Sequence, residues 1–217
     1  MQSITPQYLA EQLALADVLL TGRDSMVNPQ DLPGRYGRVV AAVDRVLAAI
    51  DAPAVLGGGW AVWRHGFVGR VTQDMDIVIA ADVLSDFLKA ATVAGFEAYE
   101  TSTGRWPKLL HRDTGIEVDL LPEGERPGTA SRPAPTTIRH PTQLGAAGST
   151  LCYISLQALV ELKLAAGRAR DEADVVELIR TNDEEVDAIR EHLASIHDDY
   201  VAAFDRLAQR AADEDNT

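Results

Sequence analysis

Two aspartates separated by a single residue, Asp74 and Asp76, open the apolar run Ile77-Val78-Ile79. Side chains alternate along an extended chain, so both carboxylates leave one face while Met75 points to the other. Adjacent carboxylates repel, raising one pKa, unless a cation sits between them, and hard oxygen ligands in this number suit Mg²⁺ (or Mn²⁺) carrying substrate phosphates. Further along, Ile116-Glu117-Val118-Asp119-Leu120 presents two more acids on one strand face. Either would complete a set of three, and Asp119 is preferred because its shorter side chain holds a metal more rigidly. Upstream, Gly57-Gly58-Gly59 stands between Ala54-Val55-Leu56 and Trp60, and glycines between a strand and a helix free backbone N–H groups to meet phosphate. An isolated D-x-D is usually a solvated strand start; this one has glycines before it and an acid after it.

A rival reading takes Gly57-x-Gly59 and an acid some twenty residues on as a dinucleotide fingerprint. In such units the acid follows the second apolar run, where it meets the ribose. Here Asp74 and Asp76 precede Ile77-Val78-Ile79, and the third glycine is missing. Lys163 follows Leu156, Leu159 and Val160 by seven, four and three residues, on the apolar side of a helix. Two readings stand for it: contact with a triphosphate, or a stem that snorkels to solvent. Asp171 is placed to cap the next helix, while Asp174 falls inside it, where it can orient Lys163 or a substrate hydroxyl. Arg70 is a candidate for a phosphate or for the local acids, and Thr72 for a phosphate oxygen. His65 and His111 each stand without a metal-ligand spacing, and no zinc site is apparent.

Taken together, Gly58-Gly59, Asp74-Met75-Asp76 and Asp119 resemble the pattern of the nucleotidyltransferase superfamily related to DNA polymerase β. Arg70-x-Thr72-x-Asp74-x-Asp76 is similar to the R-x-[ST]-x-D-h-D form of its AbiEii-type (MenT-like) members, and LVELKLAAGRARDEAD, residues 159–174, is similar to their K-L and R-D-x-x-D helical segment. The segment GGWAV also resembles the lincosamide and aminoglycoside nucleotidyltransferases. The resemblance spans roughly residues 54–180. It implies transfer of an NMP from an NTP to an acceptor hydroxyl, with Asp74, Asp76 and Asp119 holding Mg²⁺ or Mn²⁺, Gly58 and Gly59 passing the phosphates, and Lys163 on the triphosphate. It also implies two settings: a toxin acting on tRNA ends with a cognate antitoxin protein as partner, or an antibiotic-modifying enzyme with a small-molecule acceptor. A third reading, from a different class, is a non-catalytic binding protein such as an antitoxin that keeps the fold, and the presence of all three carboxylates weighs against it.

The surrounding pattern predicts an α/β (α+β) protein: a small mixed sheet flanked by helices, with a helical C-terminal part. Helical spacing marks residues 6–20 and 36–50, separated by a breaker-rich loop that makes the first helix a separable element. Strands are expected at 54–56 and 76–80, a short helix at 60–65, a helix at 83–94 closed by Gly95, and a hairpin from 106–111 and 116–121 around Asp113-Thr114-Gly115. Residues 122–150 read as a long irregular segment to which Arg126, Arg132, Arg139 and His140 lend positive character, suited to an RNA end. From Ile154 the pattern is helical. Thr181 and Glu184 resemble a capping box opening one long amphipathic helix through Val186, Ile189, Leu193, Ile196, Tyr200, Phe204 and Leu207. The expected organisation is a helical element over 1–50, a nucleotidyltransferase core over 51–150 and a helical part over 151–217.

The 217 residues are 46% hydrophobic and 24% charged, the balance of a globular chain, and they exclude a collagen-like or disordered one. A formal charge of −13 argues against general nucleic-acid binding held by phosphate contacts. The longest apolar stretches fall far short of the roughly 18–20 residues that cross a bilayer, so no membrane partner is expected. One cysteine, Cys152, and an N-terminus without a basic, then apolar, signal segment point to the cytoplasm.

Overall fold

A computed structural model describes residues 5–21, 26–69, 72–99 and 106–215, without the side chains of 7, 18–21 and 215. Six strands form one mixed sheet: β1 (Ala54–Leu56), β2 (Met75–Ile79), β3 (Phe96–Tyr99), β4 (Lys108–His111), β5 (Ile116–Pro122) and β6 (Cys152–Tyr153), in the order β3-β4-β5-β2-β1-β6. β2 runs parallel to β5 and antiparallel to β1, and β3, β4 and β5 form an antiparallel meander.

Period-two alternation divides the sheet into two faces. Met75, Ile77, Ile79, Val118 and Leu120 join one core with α2 (Gly34–Ile50) and α4 (Leu84–Val93). α2 reaches it through Val39, Val43, Val46 and Leu47, spaced by three and four. Val55 and Val78 face the other way, into a second core built on α5 (Leu156–Ala166), α6 (Ala169–Thr181), α7 (Val186–Ile196) and α8 (Asp198–Asp215). The expected mixed sheet flanked by helices is therefore present, with helices on both faces. Asp76, Asp119 and Glu117 share the second face, beside the C-terminal helices.

Two short strands escape the sequence pattern. β3 has the burial order of an edge, with only Phe96 buried, and the two-residue β6 is too brief for any periodicity. The expected single C-terminal helix is broken. His197 is extended (φ −167, ψ 136), its N–H bonds the Leu193 carbonyl at 3.0 Å, and its Nδ1 accepts from the Asp199 N–H at 3.1 Å. One residue thus ends α7 and caps α8, and the apolar stripe restarts in Tyr200, Phe204 and Leu207. Thr181 does not cap: it is the last residue of α6, and its hydroxyl donates to the Glu177 carbonyl.

α1 (Pro6–Thr21) packs back onto the approach to β2. Gln12, 4% exposed, accepts from the Thr72 N–H through Oε1 at 3.2 Å and donates from Nε2 to the Tyr36 hydroxyl at 3.3 Å. The Thr72 carbonyl accepts from Tyr8 and Tyr36. Side chains of α1 and α2 therefore satisfy both backbone groups of a residue that has no strand partner. No helix of the described residues is long and apolar enough to cross a membrane.

Candidate active site

The parallel register sets Asp76 opposite Asp119, and the antiparallel register sets Asp119 opposite Lys108. Register partners on neighbouring strands lie about 4.8 Å apart and point to the same side. The sheet thus lines up Lys108, Asp119 and Asp76 in one row, and the Gly57 N–H closes the row at the Asp76 carbonyl at 2.8 Å.

Above that row runs a cleft of about 550 Å³, within the range of small-molecule sites. Gly57, Gly58, Asp74, Asp76, Asp119, Lys163, Arg168, Arg170 and Asp171 supply its polar lining. Val78, Trp106, Leu121, Ile138, Leu159 and Leu162 supply an apolar wall. Gly58 has φ +57 at the start of α3 (Gly58–Arg64), and a Cβ there would stand 1.7 Å from Oδ2 of Asp76. Only a glycine leaves room for the carboxylate, and only a glycine adopts this backbone without strain.

Burial pushes the Asp76 carboxyl up to about 7, with Asp74 and Asp119 adding to the rise and Lys163 and Arg168 opposing it. The Asp74 carbonyl is fixed by the Trp60 indole N–H at 3.1 Å. Lys108 places its ammonium 2.5 and 2.6 Å from the two oxygens of Asp119. Burial lowers the Lys108 ammonium, but the hydrogen bond to Asp119 and its charge outweigh it and the net direction is up. Asp119 is raised by burial, pulled back by Lys108 and raised again by Asp74 and Glu117. The short bidentate contact is the geometry of an ion pair.

The opposite wall is made by the turn between α5 and α6. The Ser155 hydroxyl caps α5 by accepting from Ala158 N–H at 3.3 Å, and Gly167 (φ 62) ends the helix. Asp171 reaches back to the Arg168 N–H, the carboxylate half of a capping box. This tight reversal folds α6 onto α5. It sets the Lys163 ammonium 2.6 Å from Asp174 and 3.2 Å from Asp171, while Arg168 holds Asp171 at 2.6 Å. All three of Lys163, Asp171 and Asp174 are buried. The stem of Lys163 does not snorkel: its charge lies inside, between two acids. Asp171 is drawn below the ordinary carboxylate range, because Arg168 and Lys163 overcome the effect of its burial.

Of the residues singled out from sequence, Gly58, Asp74, Asp76, Asp119 and Lys163 come together on the cleft. Asp174 stands behind Lys163. Gly59 is buried one residue further into α3. Thr72 is 2% exposed and turned to α1, and its hydroxyl oxygen makes no hydrogen bond among the described residues. Arg70 lies outside the described residues. The sequence reading missed Lys108, whose signal was available: counting outward from the His111–Ile116 pair of the hairpin brings it opposite Asp119. Trp106 on the apolar wall had no comparable signal. Part of the basic segment is engaged within the chain. Arg139 is paired with buried Glu161 at 2.6 Å, Arg126 donates to the Ala134 and Pro135 carbonyls, and His140 accepts from Thr142 N–H.

Hard carboxylate oxygens crowded into a half-buried row, one of them with a strongly raised pKa, fit a divalent cation such as Mg²⁺ or Mn²⁺. Among the described residues no three His, Cys, Asp or Glu side chains already close on a common metal position. Asp74 and Asp76 are the pair that would receive a cation first, since Asp119 is engaged by Lys108.

No protein-family model matches the chain, and no curated protein matches it. Among solved structures it is similar to ANT(2'')-Ia in complex with adenylyl-2''-tobramycin, at 16% identity and TM-score 0.38, over 80% of this chain and 94% of that one. It is also similar to JHP933 from Helicobacter pylori, at 13% identity and TM-score 0.32, over 99% of this chain and 97% of that one. At these scores neither likeness says what this chain does.

Proposed function

We propose that the chain is a metal-dependent nucleotidyltransferase that moves an NMP from an NTP to an acceptor hydroxyl. One observation carries the reading: Asp76 and Asp119 are register partners of parallel strands, with Gly58 pressed against the Asp76 carboxylate at the head of α3. Asp74, Asp76 and Asp119 would hold a divalent cation, which when bound would neutralise triphosphate charge and acidify an acceptor hydroxyl. Gly57 and Gly58 line the cleft beside the acids, where phosphates would approach the turn. Lys163 and Arg168 line the same cleft as ion pairs with Asp171 and Asp174, and the apolar wall around Trp106, Ile138 and Leu159 would exclude water and receive a base or acceptor. The acceptor hydroxyl gives its proton to solvent or a cleft carboxylate as its oxygen bonds to the α phosphorus, the bond to pyrophosphate breaks and pyrophosphate leaves, and catalysis is chiefly positioning and charge neutralisation.

The AbiEii-type resemblance favours a toxin acting on tRNA, in a pair with an antitoxin protein. A small hydroxyl-rich acceptor, as in antibiotic nucleotidyltransferases, is the second reading, and a specific observation supports it. Arg139 is neutralised by buried Glu161, so segment 122–150 offers an RNA end less positive charge than its sequence suggests.

Incubation with each α-labelled NTP and Mg²⁺, with total tRNA in one arm and aminoglycosides or lincosamides in the other, tests both readings. Label transferred by the wild type and lost in Asp76→Asn and Asp119→Asn, but retained in Glu117→Gln, supports transfer, and the labelled arm identifies the acceptor class. Absence of label in both arms, together with thermal stabilisation by NAD but not by metal plus any NTP, would overturn it.

A further inference from the structure

Lys108 engages both oxygens of Asp119, and each side chain of the pair retains 25% exposure, so the contact lies at the edge of the cleft. Each Asp119 oxygen keeps a second lone pair. A divalent cation brought against it, however, would stand beside an ammonium of the same sign, at a distance where charges interact strongly even at surface-like dielectric. Free metal and Lys108 therefore compete for one carboxylate. An NTP changes the balance, because its phosphates bring negative charge to the same place and offer the ammonium another partner. Arg168 and Lys163, by contrast, are already tied to Asp171 and Asp174, whereas Lys108 is held by the acid that the metal needs.

We propose that Lys108 is a tethered counter-ion that holds Asp119 in the metal-free protein, yields it to metal alone only at high concentration, and gives it up far more readily when metal and triphosphate arrive together. It is a positioning residue that couples the two ligands, so that each raises the affinity for the other. The inference rests on the nucleotidyltransferase reading and names a device within that site.

The test is Mn²⁺ binding followed by electron paramagnetic resonance, with and without an α,β-methylene triphosphate analogue, on the wild type, Lys108→Met, Lys108→Arg and Asp76→Asn. Lys108→Met should bind Mn²⁺ alone about tenfold more tightly than the wild type, and the analogue should improve its Mn²⁺ affinity less than it improves that of the wild type. Lys108→Arg should behave like the wild type. A purely structural role for Lys108 would leave metal affinity unchanged or weaken it, and that result overturns the proposal. A second readout needs no variant. The chain has three lysines, Lys89, Lys108 and Lys163, and mass spectrometry of acetylation should show Lys108 becoming more reactive when Mg²⁺ is raised high enough to occupy the site. Unchanged Lys108 labelling at saturating metal would also overturn it. If the wild type binds no Mn²⁺ and Asp76→Asn changes nothing, the nucleotidyltransferase reading itself falls; if Asp76→Asn weakens Mn²⁺ binding while Lys108→Met does not strengthen it, only the counter-ion role falls.

Discussion

A Cβ added to Gly58 would lie 1.7 Å from the Asp76 carboxylate oxygen, closer than any non-bonded pair of heavy atoms can stand. The turn after β1 and the acid on β2 thus occupy each other's space, which explains why a side chain is missing where the chain enters α3. Gly58→Ala must move the carboxylate or the turn, besides placing alanine at φ +57. Transfer activity should fall by about 10²-fold, the scale attached to misplacement of a reacting group by about 1 Å. Gly124→Ala, at φ +78 with nothing within 4 Å, is the control for backbone strain alone and should cost stability without comparable loss of rate.

The pKa of Asp76 gives the metal-free protein a characteristic pH dependence. Its folded value of about 7 lies above the ordinary 3.8. Between those values the folded state binds more protons than the unfolded one, so this group's contribution to stability falls as pH rises from 4 to 7. Asp76→Asn removes that penalty. In EDTA, urea denaturation should show Asp76→Asn more stable than the wild type at pH 8, by on the order of 2 kcal/mol, with the difference shrinking toward pH 4. A constant difference across the range would refute the assignment.

Lys163→Met shows where tertiary structure reverses an expectation drawn from sequence. An ammonium on an apolar helix face suggests that its removal is harmless or mildly stabilising. In the fold it lies between buried Asp171 and Asp174, and deleting it leaves buried carboxylate charge uncompensated. Denaturation should show a loss of about 3 kcal/mol, since breaking a buried pair from one side costs about that much. Lys163→Met with Asp174→Asn should recover part of it.

Gln12 offers a test at the other end of the chain. It accepts from the Thr72 N–H, two residues before Asp74. Gln12→Ala orphans that buried donor and should cost about 1–3 kcal/mol. Because the clamp steadies the approach to the carboxylates, kcat should fall as well; a variant with lowered Tm and unchanged kcat would show that α1 supports the fold and not the site.

How much of this was legible in the sequence differs from element to element. The carboxylates of Asp74 and Asp76, the hairpin that carries Asp119 and the glycines before α3 are local facts, set by alternation, turn residues and the absence of side chains, and the mixed sheet with flanking helices followed from them. The break at His197 was hidden because an apolar stripe of period 3.6 continues on both sides of one extended residue. The pairing of β2 with β5, the clamp from Gln12 and the cage around Lys163 join residues 43, 60 and 8–11 positions apart, and the first two depend on how whole elements dock. Charge shows the division most clearly. Composition and spacing assigned Arg139 to a basic loop and Lys163 to a solvent-seeking stem or a substrate, yet burial forces each charge to find a partner within the fold, and Glu161, Asp171 and Asp174 supply them. Residue types alone decided that acids and glycines would be available for the proposed phosphate chemistry. Only the packed structure decided which charges remain free to perform it, because a buried ion is stable only beside its counter-ion.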